Sequence, residues 1–391
     1  MTELSRTTPT GKNLVALSLL ALSAGSSIGL LGPISSAWMK FNGLSDVVVG
    51  SLSTLYFVAA AFGGLLLAPM AINMGLGRGV SVCCLFGGLG AAMMPWSTSA
   101  MALLPLRAMA GAGAGALATL GQFALGHVSR GVSQGMLTGG YALLFGVGLA
   151  AGPALGTPLY LRNPTAAFAV AAALLCNGGL ALWISAIAPL RLRSNARWRA
   201  PRIEHLQSLH AVFAYGMAEA VLFSMLPVYL SHSGRVPMGE MGGLLLAFVA
   251  GGLVATLPIS YLGDKWNRAT VMSSCALAGV ACSAAFFWAG DPTVSRCFAF
   301  LSGATIGPLY ALALAAIGQA SADGDDLSVG TIWFNAAFNC GCIVGPVVSS
   351  LLMTLGGGEL WFALVQATMG LIPLSHAKRL HRFARAGGLV A

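Results

Sequence analysis

The sequence predicts an all-α membrane protein: twelve transmembrane helices in two six-helix, pseudo-symmetric bundles. Three observations carry that prediction. Of 391 residues, 57% are hydrophobic and only 8% charged, with a mean hydropathy of +0.82; a soluble domain carries about 25% charged residues. The apolar residues lie in continuous runs long enough to cross a bilayer, not in the alternating pattern of a transmembrane barrel. Glycine and proline recur at a near-constant spacing between the two halves. The same composition excludes disorder, which needs low hydrophobicity, and the 52 glycines follow no Gly-X-Y period, which excludes collagen.

Taken in order, the first six apolar runs are residues 14–37, 48–72, 79–96, 100–126, 133–160 and 165–189. A basic stretch follows, with Arg191, Arg193, Arg197, Arg199 and Arg202 close together. The second six runs are residues 208–231, 241–263, 269–290, 294–318, 329–355 and 360–377. At 1.5 Å per residue, about 20 residues cross the hydrocarbon core, so each run spans once. The expected organisation is an N-terminal bundle over 1–189, a cytoplasmic linker over 190–207 and a C-terminal bundle over 208–391. With this count, fifteen Lys and Arg fall on one side and four (Lys40, Arg162, Arg235, Arg296) on the other, and Arg107 lies inside a span. The positive-inside rule then puts both termini in the cytoplasm of a multi-pass inner-membrane protein.

Three pairs of positions suggest duplication. Pro33 answers Pro227 at an offset of 194, Gly111 answers Gly303 at 192, and Gly152-Pro153 answers Gly345-Pro346 at 193. The net charge of +9 is spent on topology, because the basic residues flank apolar runs without interleaved aromatics; no nucleic-acid partner is expected. The eight cysteines sit in or beside apolar stretches and read as small hydrophobes. No metal site and no cofactor is expected: Met residues are scattered without a His-rich repeat, and no Gly-rich loop ends in Lys-Ser or Lys-Thr. Residues 1–12 are polar without a cleavable signal pattern, so the first run is expected to stay as a helix.

Four motifs carry chemistry. After the eighth run stands Gly263-Asp264-Lys265-Trp266-Asn267-Arg268, and the matching loop of the first half is Ile72-Asn73-Met74-Gly75-Leu76-Gly77-Arg78. The fourth run holds Arg107 followed by Gly111, Gly113 and Gly115. An arginine in hydrocarbon costs at least ~2.5–3.5 kcal/mol, so it either faces a cavity or partner, or snorkels to the outer interface. The fifth run holds Gly146, Gly148, Gly152, Pro153 and Gly156, a stripe that permits close helix contact plus a proline that allows a bend. The seventh run places Glu219 about eleven residues, or ~16 Å, into its span. A carboxyl at that depth either takes up and releases a proton or binds a cation, or is a structural acid bonded to a neighbouring helix.

With these motifs the chain resembles the major facilitator superfamily over essentially its whole length. The seventh run and the loop after the eighth resemble its YcaD-like branch most. The resemblance implies secondary active transport of a small organic solute by alternating access, with the solute bound near the midplane between two six-helix repeats. It further implies proton coupling at Glu219 and Arg107, and gating by the loop residues Asp264, Lys265 and Arg268. The first-half loop departs from the family pattern, with Ile72 where the acid stands and Asn73 where the base stands. The fifth-run motif Gly148, Gly152, Pro153 and Gly156 looks like the family's antiporter signature, with a role in packing between the two halves, and favours export over uptake. Tyr56, Gln122, Tyr141, Tyr310, Asn335 and Asn339 lie in runs that surround the substrate cavity in the family; Asn335 and Asn339 share one helix face. No enzyme activity is expected, the partners being a small-molecule substrate, protons and the lipid bilayer, and the protein is expected to act as a monomer. Two other readings remain: a proton-coupled importer, and a transport-inactive sensor on the same scaffold.

Overall fold

The computed structural model describes residues 11–73, 76–128, 134–184, 205–234, 236–320 and 324–375. Its contacts divide the chain into two compact units, Met1–Arg193 and Ser194–Ala391. Of the expected linker, only residues 205–207 are among those described, and they open the seventh span.

In the N-terminal unit α1 spans Gly11–Phe41. The turn after it uses Gly43 at φ +78°, a conformation that favours glycine, and Lys40 bridges it to Asp46 at 2.5 Å. The second run comprises α2 (Asp46–Phe62), a π-helical segment (Gly63–Leu67) and α3 (Ala68–Asn73). Then come α4 (Leu76–Met93) with a 3-10 turn at Met94–Trp96, α5 (Ala100–Val128), α6 (Gln134–Arg162) and α7 (Pro164–Ile184). Helix α1 packs along α6 and α7, α2 along α5, and α4 on α5 and α7. The contacts are close because glycines remove the side chains between backbones. Gly25 and Gly29 of α1 face the carbonyls of Phe145 and Leu149, while Gly148 and Gly152 of α6 face those of Leu22 and Ser26. A methyl group at any of them would overlap backbone, the signature of small-residue packing in a membrane.

The C-terminal unit repeats the plan. Helix α8 (Leu206–Ser233) ends on Gly234 at φ +60°. A 3-10 turn (Met238–Glu240) leads to α9 (Met241–Lys265), and Asn267 caps α10 (Arg268–Trp288) by accepting from the Ala269 N–H. Asp291 caps α11 (Pro292–Ile306), with Pro292 in the first turn where its missing N–H costs nothing. Then follow α12 (Pro308–Ala320), α13 (Gly324–Gly356), a 3-10 turn (Gly358–Phe362) and α14 (Ala363–Gly370). Here α8 packs on α13, α9 on α11, and α10 on α11 and α14.

Every one of the twelve expected runs meets helix. Among the described residues ten helices are long and apolar enough to cross a membrane, and Pro164–Asn177 is a shorter apolar one. Two runs differ internally from the expectation. The tenth is interrupted at Gly307, because Pro308 has no N–H to continue the ladder, while Gly307 itself keeps helical dihedrals. The second contains the π segment, whose counterpart in α9 is regular α-helix.

The duplication is visible contact by contact. Gly111 and Gly115 face the carbonyls of Tyr56 and Ala60. At an offset of 192, Gly303 faces that of Phe248 and Gly307 abuts Gly252. Gly148 on Leu22 recurs as Gly341 on Phe213, and Gly25 on Phe145 recurs as Gly216 on Phe338. These pairs set α8 at an offset of 191 from α1, and α13 at 193 from α6. Gly111/Gly303 and Gly152/Gly345 are therefore equivalent positions. Pro33 and Pro227 are not: Pro33 matches Ser224, and Pro227 lies nearly one turn further along. That correction arises because a proline-induced bend tolerates a shift along the helix, whereas a glycine seated on a carbonyl does not.

Candidate functional site

Arg107 is seven residues into α5 and is 1% exposed. It does not snorkel. Its Nη1 donates to Ser35 Oγ at 2.6 Å, Nε to the Leu52 carbonyl at 3.3 Å and Nη2 to Ser53 Oγ at 3.4 Å. Its guanidinium carbon lies 4.9 Å from the centre of the Tyr56 ring. Three helices thus converge on one planar cation through neutral acceptors and a π face, the arrangement that a guanidinium fork suits. Tyr56, expected at the substrate cavity, is buried in this nest as a partner of the arginine.

Glu219 stands thirteen residues into α8, about 20 Å along a helix of about 42 Å. It is half-buried. One turn earlier on the same face stands Tyr215, its hydroxyl within electrostatic reach of the carboxylate. The Tyr310 hydroxyl of α12 and the Cys342 thiol of α13 lie within electrostatic reach. Rings frame the acid: Tyr215 and Tyr310 are 5.4 Å apart, Tyr215 stacks on Phe338 at 6.1 Å, and Tyr310 meets Phe338 edge-on at 5.9 Å. Phe334, 1% exposed, backs Tyr310 at 4.9 Å. No ion pair to Glu219 occurs among the described residues.

The remaining expected residues fall as follows. Tyr310 joins the Glu219 cluster. Asn335 and Asn339 do share a face of α13, and their amides turn back on it, donating to the carbonyls of Thr331 (3.1 Å) and Asn335 (2.8 Å). In the N-terminal unit Gln122 is exposed on α5, and the Tyr141 hydroxyl of α6 sits against neighbouring Gly121. The antiporter-like stripe of Gly148, Gly152 and Gly156 contacts Leu22, Ser26 and Leu30, all of α1 in the same unit. These three glycines thus pack α6 on α1 within the N-terminal unit, with buried Pro153 among them. In the loop after the eighth run Arg268 donates to Asp264 and, at 2.9 Å, to the Ala315 carbonyl. That latch ties α10 to α12 within one unit, and Lys265 lies 4.8 Å over the Tyr261 ring. Met74 and Gly75 of the first-half loop lie outside the described residues.

Sequence reasoning missed Ser35, Ser53, Tyr215, Phe338 and Cys342. Only Tyr215 carried a signal, its spacing of four from Glu219; the others reach their partners across helices. Also unforeseen is a cavity of about 30 Å³ in the C-terminal unit, whose lining includes Leu226, Leu244, Phe248, Ala299 and Ser302. The Ser302 hydroxyl is buried with no hydrogen-bond partner among the described residues.

The family model of the Major Facilitator Superfamily matches residues 17–234 and 208–375. An uncharacterised MFS-type transporter, YfkF, of Bacillus subtilis is 25% identical over 89% of this chain and 94% of its own. A similarly uncharacterised one of Yersinia pestis is 23% identical over 87% and 88%. Among solved structures, the nucleoside transporter NupG superposes with a TM-score of 0.69 at 14% identity, over 95% of this chain and 99% of its own. A bacterial homologue of the human lysosomal transporter Spinster, inward-facing and occupied, gives 0.68 at 14%, over 93% of each; at such identity both speak for the fold. Two repeated helical units, a buried arginine nest, an intramembrane acid and these matches agree: the chain belongs to the Major Facilitator Superfamily.

Proposed function

We propose that this member is a proton-coupled secondary transporter that exports a small organic solute across the cytoplasmic membrane by alternating access. One observation carries the reading: half-buried Glu219, midway along α8, with no ion pair among the described residues. Intramembrane charges are rare and are retained where ions or substrates pass. An acid that keeps part of its surface accessible can exchange a proton, and Tyr215, one turn away on the same helix face, offers a hydroxyl donor beside it. In this reading Arg107 holds α1, α2 and α5 together through one cation, so the N-terminal unit moves as a body while coupling is tuned elsewhere. The two bundles, 1–189 and 208–391, are joined by a cytoplasmic linker over 190–207. Both termini are cytoplasmic, and the chain works as a monomer without a cofactor.

The test is solute-driven proton movement. Purified protein in liposomes with an entrapped pH dye is challenged with a broad solute panel under an imposed pH gradient. A transported solute dissipates the gradient in wild type and not in Glu219→Gln. Solute flux that persists in Glu219→Gln with an unchanged proton signal overturns the assignment of the proton to Glu219.

A further inference from the structure

The surroundings of Glu219 narrow the solute. We infer that the substrate is a monovalent organic cation with an aromatic, apolar body, its charge met by the Glu219 carboxylate and its body by Tyr215, Tyr310 and Phe338. This rests on the transporter reading above.

An ionised carboxylate offers about four acceptor positions, and no ion pair fills any of them among the described residues. The described cations of this unit, Lys265, Arg268 and Arg296, lie at helix ends and are engaged by Tyr261, Asp264 and Glu240 respectively. A charge carried into a membrane protein is matched by a partner, and within this unit the described residues supply none. The partner is therefore mobile: a proton or a cationic solute. Three half-buried rings beside the acid give the second condition. Their negative π faces attract a cation, and their area receives an apolar body. Phe334 behind Tyr310 holds the wall in place before any ligand arrives. An anion meets the opposite of each feature. Because proton and cation answer to the same carboxylate, binding one expels the other, which is a one-for-one exchange and balances charge.

Tetraphenylphosphonium and tetraphenylborate have the same shape and opposite charge, so they are the probes. Equilibrium binding to full-length, detergent-purified protein is measured for wild type, Glu219→Gln, Glu219→Asp and Phe338→Leu, each first checked by thermal unfolding. The expectation is saturable binding of the phosphonium alone. Glu219→Gln should weaken it tenfold or more, Glu219→Asp less, and Phe338→Leu about three- to tenfold. Phosphonium binding should release a proton at neutral pH in wild type and none in Glu219→Gln. Equal binding of the borate, or phosphonium binding indifferent to Glu219→Gln, overturns the inference. A neutral or anionic solute that drives Glu219-dependent proton flux overturns the cation class and leaves the transporter reading standing. Should Glu219→Gln fail to fold, Glu219→Asp and Phe338→Leu decide alone, and unchanged affinity in both overturns it.

Discussion

At Arg107 two opposing terms can be weighed. Burial of the cation costs at least ~2.5–3.5 kcal/mol. Against it stand three hydrogen bonds from a charged donor, each worth about 1.5–3 kcal/mol, and a ring at 4.9 Å. The bonds win, so the arginine stabilises the N-terminal unit, and Arg107→Met should destabilise it by about 2–4 kcal/mol. Arg107→Lys should recover only part, because an ammonium cannot reach acceptors on α1 and α2 in the plane of one fork. Thermal unfolding in detergent checks both; a methionine variant as stable as wild type would show that the nest is a burden kept for function. Asp291, at the start of α11, is a second case. The backbone N–H groups of Val294 and Thr293 donate to its carboxylate and hold it below the ordinary aspartate range. A depressed carboxylate contributes above its unfolded value and loses that contribution as pH falls through the folded one. Asp291→Asn should therefore flatten the acid limb of a stability-against-pH curve while leaving neutral pH nearly unchanged.

Between helices the decisive atoms are missing side chains. Gly111 and Gly303 sit over the carbonyls of Tyr56 and Phe248, so a methyl group there must push two backbones apart. Gly111→Ala and Gly303→Ala should each cost about 1–3 kcal/mol. Gly318 of α12 has open space where its Cβ would be, and Gly318→Ala should be neutral or gain up to about 1 kcal/mol from helix propensity. Thermal unfolding of the three variants separates close packing from propensity. The same contrast explains what was legible in the sequence. Run length and hydropathy located the helices, because the bilayer demands about 20 apolar residues whatever their order. The break at Gly307 was written in Pro308 and was hidden by the continuity of the apolar run. The π segment left no composition signal, since Gly63–Leu67 are ordinary membrane residues. Glu219 and Arg107 stood out because charge is scarce in a membrane. Their partners Ser35, Ser53, Phe338 and Cys342 did not, because each becomes a neighbour only through the packing of α1 and α2 on α5, or of α13 on α8.

At the scale of the whole chain the duplication ties the arginine nest to the cavity. Counting by the offsets that the glycine contacts define, Arg107 corresponds to Ala299, Leu52 to Leu244, Tyr56 to Phe248 and Ser35 to Leu226. All four counterparts line the cavity in the C-terminal unit. The cavity is the space that a guanidinium fills in one repeat and a methyl group leaves open in the other. The two repeats have thus diverged at this place in the fold, in Arg107 against Ala299, Tyr56 against Phe248 and Ser35 against Leu226: one is polar and full, the other apolar and partly empty. An unfilled volume of this kind costs about 24 cal/mol per Å³, so 30 Å³ amounts to roughly 0.7 kcal/mol. Ala299→Val, which adds bulk without charge, should recover up to that much and raise the unfolding temperature by about 1 °C or less in a chain of this size. Ala299→Arg should do the opposite. Leu226 has no hydroxyl to offer where Ser35 has one, Phe248 has no phenol where Tyr56 has one, and the orphan Ser302 hydroxyl is a poor substitute for three acceptors. The introduced cation would be left with the desolvation cost and few of the bonds, and unfolding should move down by several degrees. If Ala299→Arg is tolerated as well as Ala299→Val, the C-terminal cavity is wet and open rather than the dry counterpart of the nest.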